Sequence, residues 1–400
     1  MNAHAISRTE LALLTIASAV VTANAYYIHP IIARVAEDFG VSASSIGLVP
    51  ALNQVALALG IFLLLPLGDR FSNRRLISVF VAGQFGGIVC MALASDILWF
   101  TIGSTVLGFF TIAPYLLPTY VSKRVDPRQL GHVTAMLTTG VIMGILLARS
   151  GAGVIGEYLG WRVVYYLAAA LMLAMVFILP VVIVDDDQDS ENQATTGYLA
   201  LLASMWPLLR QHPETLLSGT IQGLNFGLFL AIWLSLGLHL TSAEMGYGVD
   251  TVGYLAMLAI VNLFTTPRMG RLADKMGARR ARLMLAAIQA AGIWLFYPFG
   301  NSVWLLVIPL VVMNVVGPPI DVSGRMLFLS QAPDVRTRLS AMYIILMFLG
   351  GGLGSWTGTA AYQWGGWPAT AQLAIAVTTA IVLLSFHALR RYGSGTEGDK

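Results

Sequence analysis

A few side chains capable of chemistry stand out because they lie inside otherwise apolar sequence. Arg149, in Leu146-Leu147-Ala148-Arg149-Ser150-Gly151, is a permanent cation deep in one such stretch. A charge at that depth faces a partner or a watery cavity. Glu157 lies eight residues further on, about 12 Å along a helix axis and beyond direct pairing. Arg149 is therefore open to two readings. It is a cationic anchor for a carboxylate or other electron-rich group, or a structural hub bonded to backbone carbonyls and to Asn24 or Gln54. Asp321 and Arg325 are spaced i, i+4 after Gly317-Pro318-Pro319, which puts both on one helical face beyond a flexing point. Asp321 is either a proton site or a fixed member of an ion pair. His29 beside Pro30 titrates in the range of a proton relay, or sits as an interfacial residue at a helix end. Tyr26, Tyr27, Gln54, Tyr115, Gln222, Asn225, Trp233 and Asn314 place amide and aromatic groups mid-stretch. Such groups suit an uncharged or amphipathic ligand, or hydrogen bonds between helices.

Enzyme chemistry finds no footing. The sequence has no metal-ligand cluster, no nucleotide loop and no close carboxylate pair, so no cofactor or metal is expected. Gly151-Ala152-Gly153 falls in apolar helix rather than in the strand-turn-helix setting of a dinucleotide site. The one cysteine, Cys90, cannot form an intrachain disulfide and reads as a small buried hydrophobe.

The elements that must position these residues are long apolar helices. The chain is 57% hydrophobic and only 11% charged, too few charges to clothe a soluble protein of 400 residues. Its mean hydropathy is +0.75. Twelve stretches long enough to cross a bilayer are expected, roughly at 11–32, 44–67, 75–94, 97–120, 131–156, 163–184, 214–240, 250–268, 281–299, 302–326, 337–361 and 368–389. Ala23-Asn24-Ala25 resembles a signal-peptide cleavage site, but the apolar run continues through Ile32, so the first stretch is retained as a span. Lys and Arg fall in every second gap: Arg70, Arg74 and Arg75; Lys123, Arg124 and Arg128; then Arg268 through Arg282; then Arg336 and Arg338. Positive residues stay in the cytoplasm, so both ends are expected inside. The basic pI near 9.0 then reflects membrane insertion and not nucleic-acid binding.

Asp185 to Pro213 is the only long polar interruption. It opens on an acidic run and ends in an amphipathic pattern from Tyr198 to Leu209 suited to an interfacial helix. The expected divisions are 1–184, a linker at 185–213, 214–390, and a tail at 391–400. The halves repeat. Asp69-Arg70 matches Asp274-Lys275 at a shift of 205 residues, and Gly160-Trp161, Gly144 and Arg149 match Gly366-Trp367, Gly350 and Ser355 at 206. Such symmetry marks a duplicated bundle with substrate between its halves.

On these motifs the chain resembles the major facilitator superfamily of secondary transporters over its whole length. Gly270-Arg271-Leu272-Ala273-Asp274-Lys275-Met276-Gly277-Ala278-Arg279-Arg280 is close to that family's loop motif. Leu65 to Arg75 keeps the Asp and the basic cluster but not both glycines. Asn24-Ala25-Tyr26-Tyr27-Ile28-His29-Pro30 is similar to a subgroup of bacterial sugar or drug efflux permeases, with His29 where Gln is usual. The resemblance implies an all-helical fold of twelve spans in two pseudo-symmetric six-helix bundles. It also implies a central cavity lined by helices 1, 4, 7 and 10, and a monomer in the bacterial inner membrane. Asp69, Arg70 and Arg74, with Asp274, Lys275 and Arg279, become conformational latches; by themselves they read as charge screening of short loops. A Gly-Pro signature found in drug/proton antiporters is absent, because Ile145 follows Gly144, and Ser104 stands where those proteins carry Arg. The function expected is alternating-access export of a small sugar-like or amphipathic solute coupled to protons. Uptake or exchange of an organic anion held by Arg149 is the alternative. A channel would need a continuous polar file, and an embedded enzyme a nucleophile or metal set.

Overall fold

The structure, a computed structural model, describes residues 6–69, 71–122, 124–126, 129–184, 198–328 and 333–393, the side chains of Asp69, Pro333 and Asp334 apart. Arg70 and the acidic run 185–191 lie outside the described residues. Every regular element among the described residues is helical. Helices 1 to 6 run over Arg8–Asp38, Ala43–Gly68, Asn73–Ala92, Ile97–Ser122, Leu130–Tyr158 and Trp161–Val182. Helices 7 to 10 run over Pro213–Leu240, Val249–Met276, Ala278–Phe299 and Val303–Met326. The last rod, Val335–Tyr392, is too long for one crossing. Its backbone leaves helical geometry at Gly365 and at Gly366, where φ is +61°. That break separates helix 11 from helix 12 and brings the crossings to twelve among the described residues.

The linker helix, Tyr198–Gln211, buries Met205 and Leu209 and exposes Leu199 and Trp206. It bridges the halves: the Tyr198 hydroxyl donates to the Leu63 carbonyl at 2.6 Å, and Arg338 donates to Ser204 at 3.3 Å. We call this side the linker face and the opposite side the far face. Trp99, Tyr158, Trp294, Tyr297, Trp304 and Trp364 are exposed around the far face. Amphipathic rings collect in such a belt where hydrocarbon meets water.

Glycines set how the helices pack. Gly144 of helix 5 lies on Ala19 of helix 1, and its repeat partner Gly350 of helix 11 lies on Gly223 of helix 7. Backbone meets backbone in both places, and a Cβ would force each pair apart. Between the halves the same symmetry returns. Gly153 of helix 5 touches Gly253 of helix 8, while Thr359 of helix 11 touches Gly47 of helix 2. Each residue of the second crossing is 206 positions from its counterpart in the first. The halves are thus shut against each other on the far-face side.

Helix 1 is interrupted. Helical bonding stops at Ala23 and resumes at Ile28, with Ala25 and Tyr26 bonding three residues back instead of four. Pro30 is the cause: it has no N–H to offer the Tyr26 carbonyl, and its ring crowds that oxygen. The weakened stretch is Asn24-Ala25-Tyr26-Tyr27.

Candidate functional site

Arg149 lies on helix 5, nine residues short of its far-face end at Tyr158, about 14 Å down the axis. It is 1% exposed. Its guanidinium carbon sits 4.5 Å from the ring centres of Phe229 and of Trp233, both on helix 7, and 5.6 Å from that of Tyr26 on helix 1. The frame is therefore built from both halves. Nε, Nη1 and Nη2 have no hydrogen-bond partner among the described residues. The expected bonds to Asn24 or Gln54 are absent: both Asn24 side-chain atoms are also unpartnered, and Gln54 donates to Asn53 at 3.4 Å. Trp233 Nε1, Ser150 Oγ and both ring nitrogens of His29 are likewise buried without partners. His29 stands edge-on to Tyr26 with centroids 5.2 Å apart. Buried polar atoms are nearly always bonded, so these unmet groups set Arg149 and its neighbours apart as the candidate site.

An aromatic file leads from Arg149 toward the linker face. Trp233 meets Phe229, Phe229 stacks on Phe226 at 6.1 Å, Phe226 meets Phe348 of helix 11 at 5.6 Å, and Phe348 meets Tyr115 of helix 4 at 6.1 Å. Below it, Arg325 Nε donates to both Asp321 oxygens at 3.0 Å, as the i, i+4 spacing required. The Tyr343 hydroxyl adds a third bond to that carboxylate at 2.9 Å. Asp321 is half-buried.

The remaining expected residues divide. Tyr27 turns away from the centre, packing on Tyr165 and lining an apolar groove of about 250 Å³ between helices 1, 5 and 6. The interruption in helix 1 rotates it there. Gln54 lies where helix 2 meets Gly352 of helix 11. Asn225 donates to Gln222 at 3.1 Å, accepts from Gln289 at 3.0 Å and also donates to the Gly317 carbonyl at 3.1 Å. These amides are glue within the second half. Gln84, 205 positions before Gln289, holds Val21 and Thr111 in the same manner. Asn314 donates to Leu310 in its own helix and leaves its oxygen unmet.

Of the latch residues, Arg74, Asp274 and Lys275 are exposed. Arg279 grips Glu214 of helix 7 through two bonds of 2.6 and 2.8 Å. That clamp joins two helices of the same half. Sequence reasoning missed Phe226, Phe229 and Phe348, and it treated Arg282 as a loop cation. Arg282 is fully buried in the first turn and a half of helix 9, bonded to Ser218 at 2.8 Å. The starting point of that helix at Ala278, just after Gly277, is what carries it inside.

A helical bundle of twelve crossings, duplicated and closed around a buried cation, defines a polytopic membrane transporter. The Major Facilitator Superfamily profile matches residues 14–320 and 215–399, and the chain belongs to that family. It is 27% identical to the uncharacterized transporter YgaY of Escherichia coli O157:H7 over 91% of each chain. It is 28% identical to the probable transporter SCO4007 of Streptomyces coelicolor, over 91% of this chain and 84% of that one. Among solved structures, a bacterial homolog of the human lysosomal transporter Spinster, inward-facing and unoccupied, superposes with a TM-score of 0.75. It does so at 14% identity over 96% of each chain.

Proposed function

We propose that this transporter works by alternating access and exports a small amphipathic organic solute in exchange for protons. The solute carries an anionic or strongly electron-rich group. One observation carries the reading: the Arg149 guanidinium is buried, has no hydrogen-bond partner among the described residues, and is framed by rings from both halves. A carboxylate would meet the unmet N–H groups bidentately, and the aromatic file would take its apolar body. Because the frame draws on helices 1, 5 and 7, a ligand there couples the halves, as alternation requires. Tyr26, Trp233 and Tyr115 are the other contacts we assign to the solute. Asp321 and His29 are the proton carriers we assign, and the loop motifs at Asp69 and Asp274 the latches of the linker face, which we take to be cytoplasmic.

The test is flux into proteoliposomes under an imposed pH gradient. The panel pairs aromatic and aliphatic carboxylates with their methyl esters, and adds neutral sugars. Saturable, gradient-dependent flux of a carboxylate but not of its ester is expected, with loss in Arg149→Lys. Flux of a neutral sugar, with every carboxylate inert, would end the anion reading.

A further inference from the structure

The far face carries two matched bonds between the halves, and only one of them can change its charge. Glu157, at the end of helix 5, accepts from the Val249 backbone N–H at 2.9 Å. Val249 opens helix 8, in the opposite half. Gln363, at the end of helix 11, accepts from the Ser44 N–H at 2.8 Å. Ser44 is in the first turn of helix 2, again in the opposite half. Glu157 and Gln363 are repeat partners, 206 positions apart. First-turn N–H groups lack partners in their own helix, so each side chain completes a helix that belongs to the other bundle. Opening the far face must break both.

The two copies differ in chemistry. Glu157 brings a negative charge to a helix N-terminus, where the dipole favours it, and pairs with Arg34 of helix 1 at 3.1 Å. Gln363 is neutral at every pH. The groups facing Glu157 are Arg34 and Glu37 from helix 1 and Asp250 from helix 8. Asp38 and Arg162 nearby are taken up with each other at 2.6 Å. Glu157 is half-buried, and its partner Arg34 lines an opening of about 370 Å³ together with Glu37, Thr241 and Tyr247. Protons from the far side can reach it.

We propose that Glu157 is a proton site that gates the far face, with Gln363 as its permanently neutral counterpart. Protonation removes the ion pair with Arg34 and reduces a charge-assisted bond to an ordinary one, roughly half as strong. The closed state is thereby weakened from the side on which protons arrive.

Spin labels at Ser95→Cys and Asn301→Cys, in a Cys90→Ala background, report far-face separation by electron–electron distance measurement in lipid nanodiscs. In the parent, acidification is expected to raise the long-distance fraction. Glu157→Gln keeps the bond to Val249 but not the charge. It should raise the open-to-closed ratio about tenfold at neutral pH, one charge-assisted contact's worth, and leave a smaller response to acid than the parent shows. Gln363→Ala should raise the ratio while leaving the acid response in place. A parent-like ratio and acid response in Glu157→Gln would overturn the proposal, as would loss of the acid response in Gln363→Ala. The measurement uses no substrate, so it stands or falls apart from the Arg149 reading.

Discussion

Replacing Arg149 by Met separates a binding group from a structural one, because the two roles move stability in opposite directions. The guanidinium leaves three nitrogens without hydrogen bonds, and an unmet buried donor costs about 1–3 kcal/mol. Against this stand two rings at 4.5 Å and one at 5.6 Å, each returning about 0.5–2 kcal/mol. The desolvation of a whole cation is added to the unfavourable side. Methionine fills nearly the same volume, keeps contact with the rings and carries no unmet donor. Arg149→Met is therefore expected to leave stability unchanged or raise it by about 1–3 kcal/mol, in line with apolar replacement of other buried charges. Solute-dependent flux should disappear at the same time. The assay is thermal unfolding of the purified protein in one detergent by circular dichroism, beside proteoliposome flux. A loss of about 3–5 kcal/mol, the signature of breaking a satisfied buried pair, would refute the reasoning and restore the hub.

Three further outcomes follow from the packing. Gly354→Val places a side chain against the Gly227 backbone of helix 7, so the second bundle should lose folded yield, read by size-exclusion chromatography; Gly151→Val, where an added Cβ meets no neighbour, serves as the tolerated control. Gln289→Leu strips the Asn225 carbonyl oxygen of its donor, and about 1–3 kcal/mol of stability should go with it, measured by thermal unfolding. Arg279→Ala leaves the half-buried Glu214 carboxylate without its two-pronged partner, and unfolding should come earlier by about 1–3 kcal/mol. Arg279→Lys should recover only part of this, since a single ammonium cannot reproduce the planar fork.

How far the sequence reached depends on what kind of signal each residue gives. Crossing number and duplication were legible because hydropathy and the shift of about 206 residues are properties of the chain alone. Arg149 was legible as well, since one charge in an apolar stretch is conspicuous whichever way the helix faces. Its surroundings were not. Phe226, Phe229 and Phe348 are ordinary residues of apolar helices, and only tertiary rotation decides that they face the centre. Tyr27 shows the converse: polar and well placed in number, it is turned onto Tyr165 by an interruption that starts at Pro30. Asn225 and Gln222 were ambiguous between ligand and glue, and Asn225's bonds to Gln222, Gln289 and Gly317 favour glue. The capping of helix 8 by Glu157 escaped notice because partners 92 residues apart leave no periodic trace.

The seam of Gly144 against Ala19 has a mechanical consequence for helix 5. Helix 5 rests on helix 1 again near its tip, at Gly156 on Ile31, so beyond the seam the two form one stiff arm, thirteen residues to Glu157 and about 20 Å of lever. A tilt of roughly 10° about the seam sweeps its tip through about 3 Å, as much as the whole length of the bond to Val249. Helix 11 repeats the arrangement from Gly350 to Gln363. Angular motion too small to disturb either bundle's interior is thus enough to part both tips together.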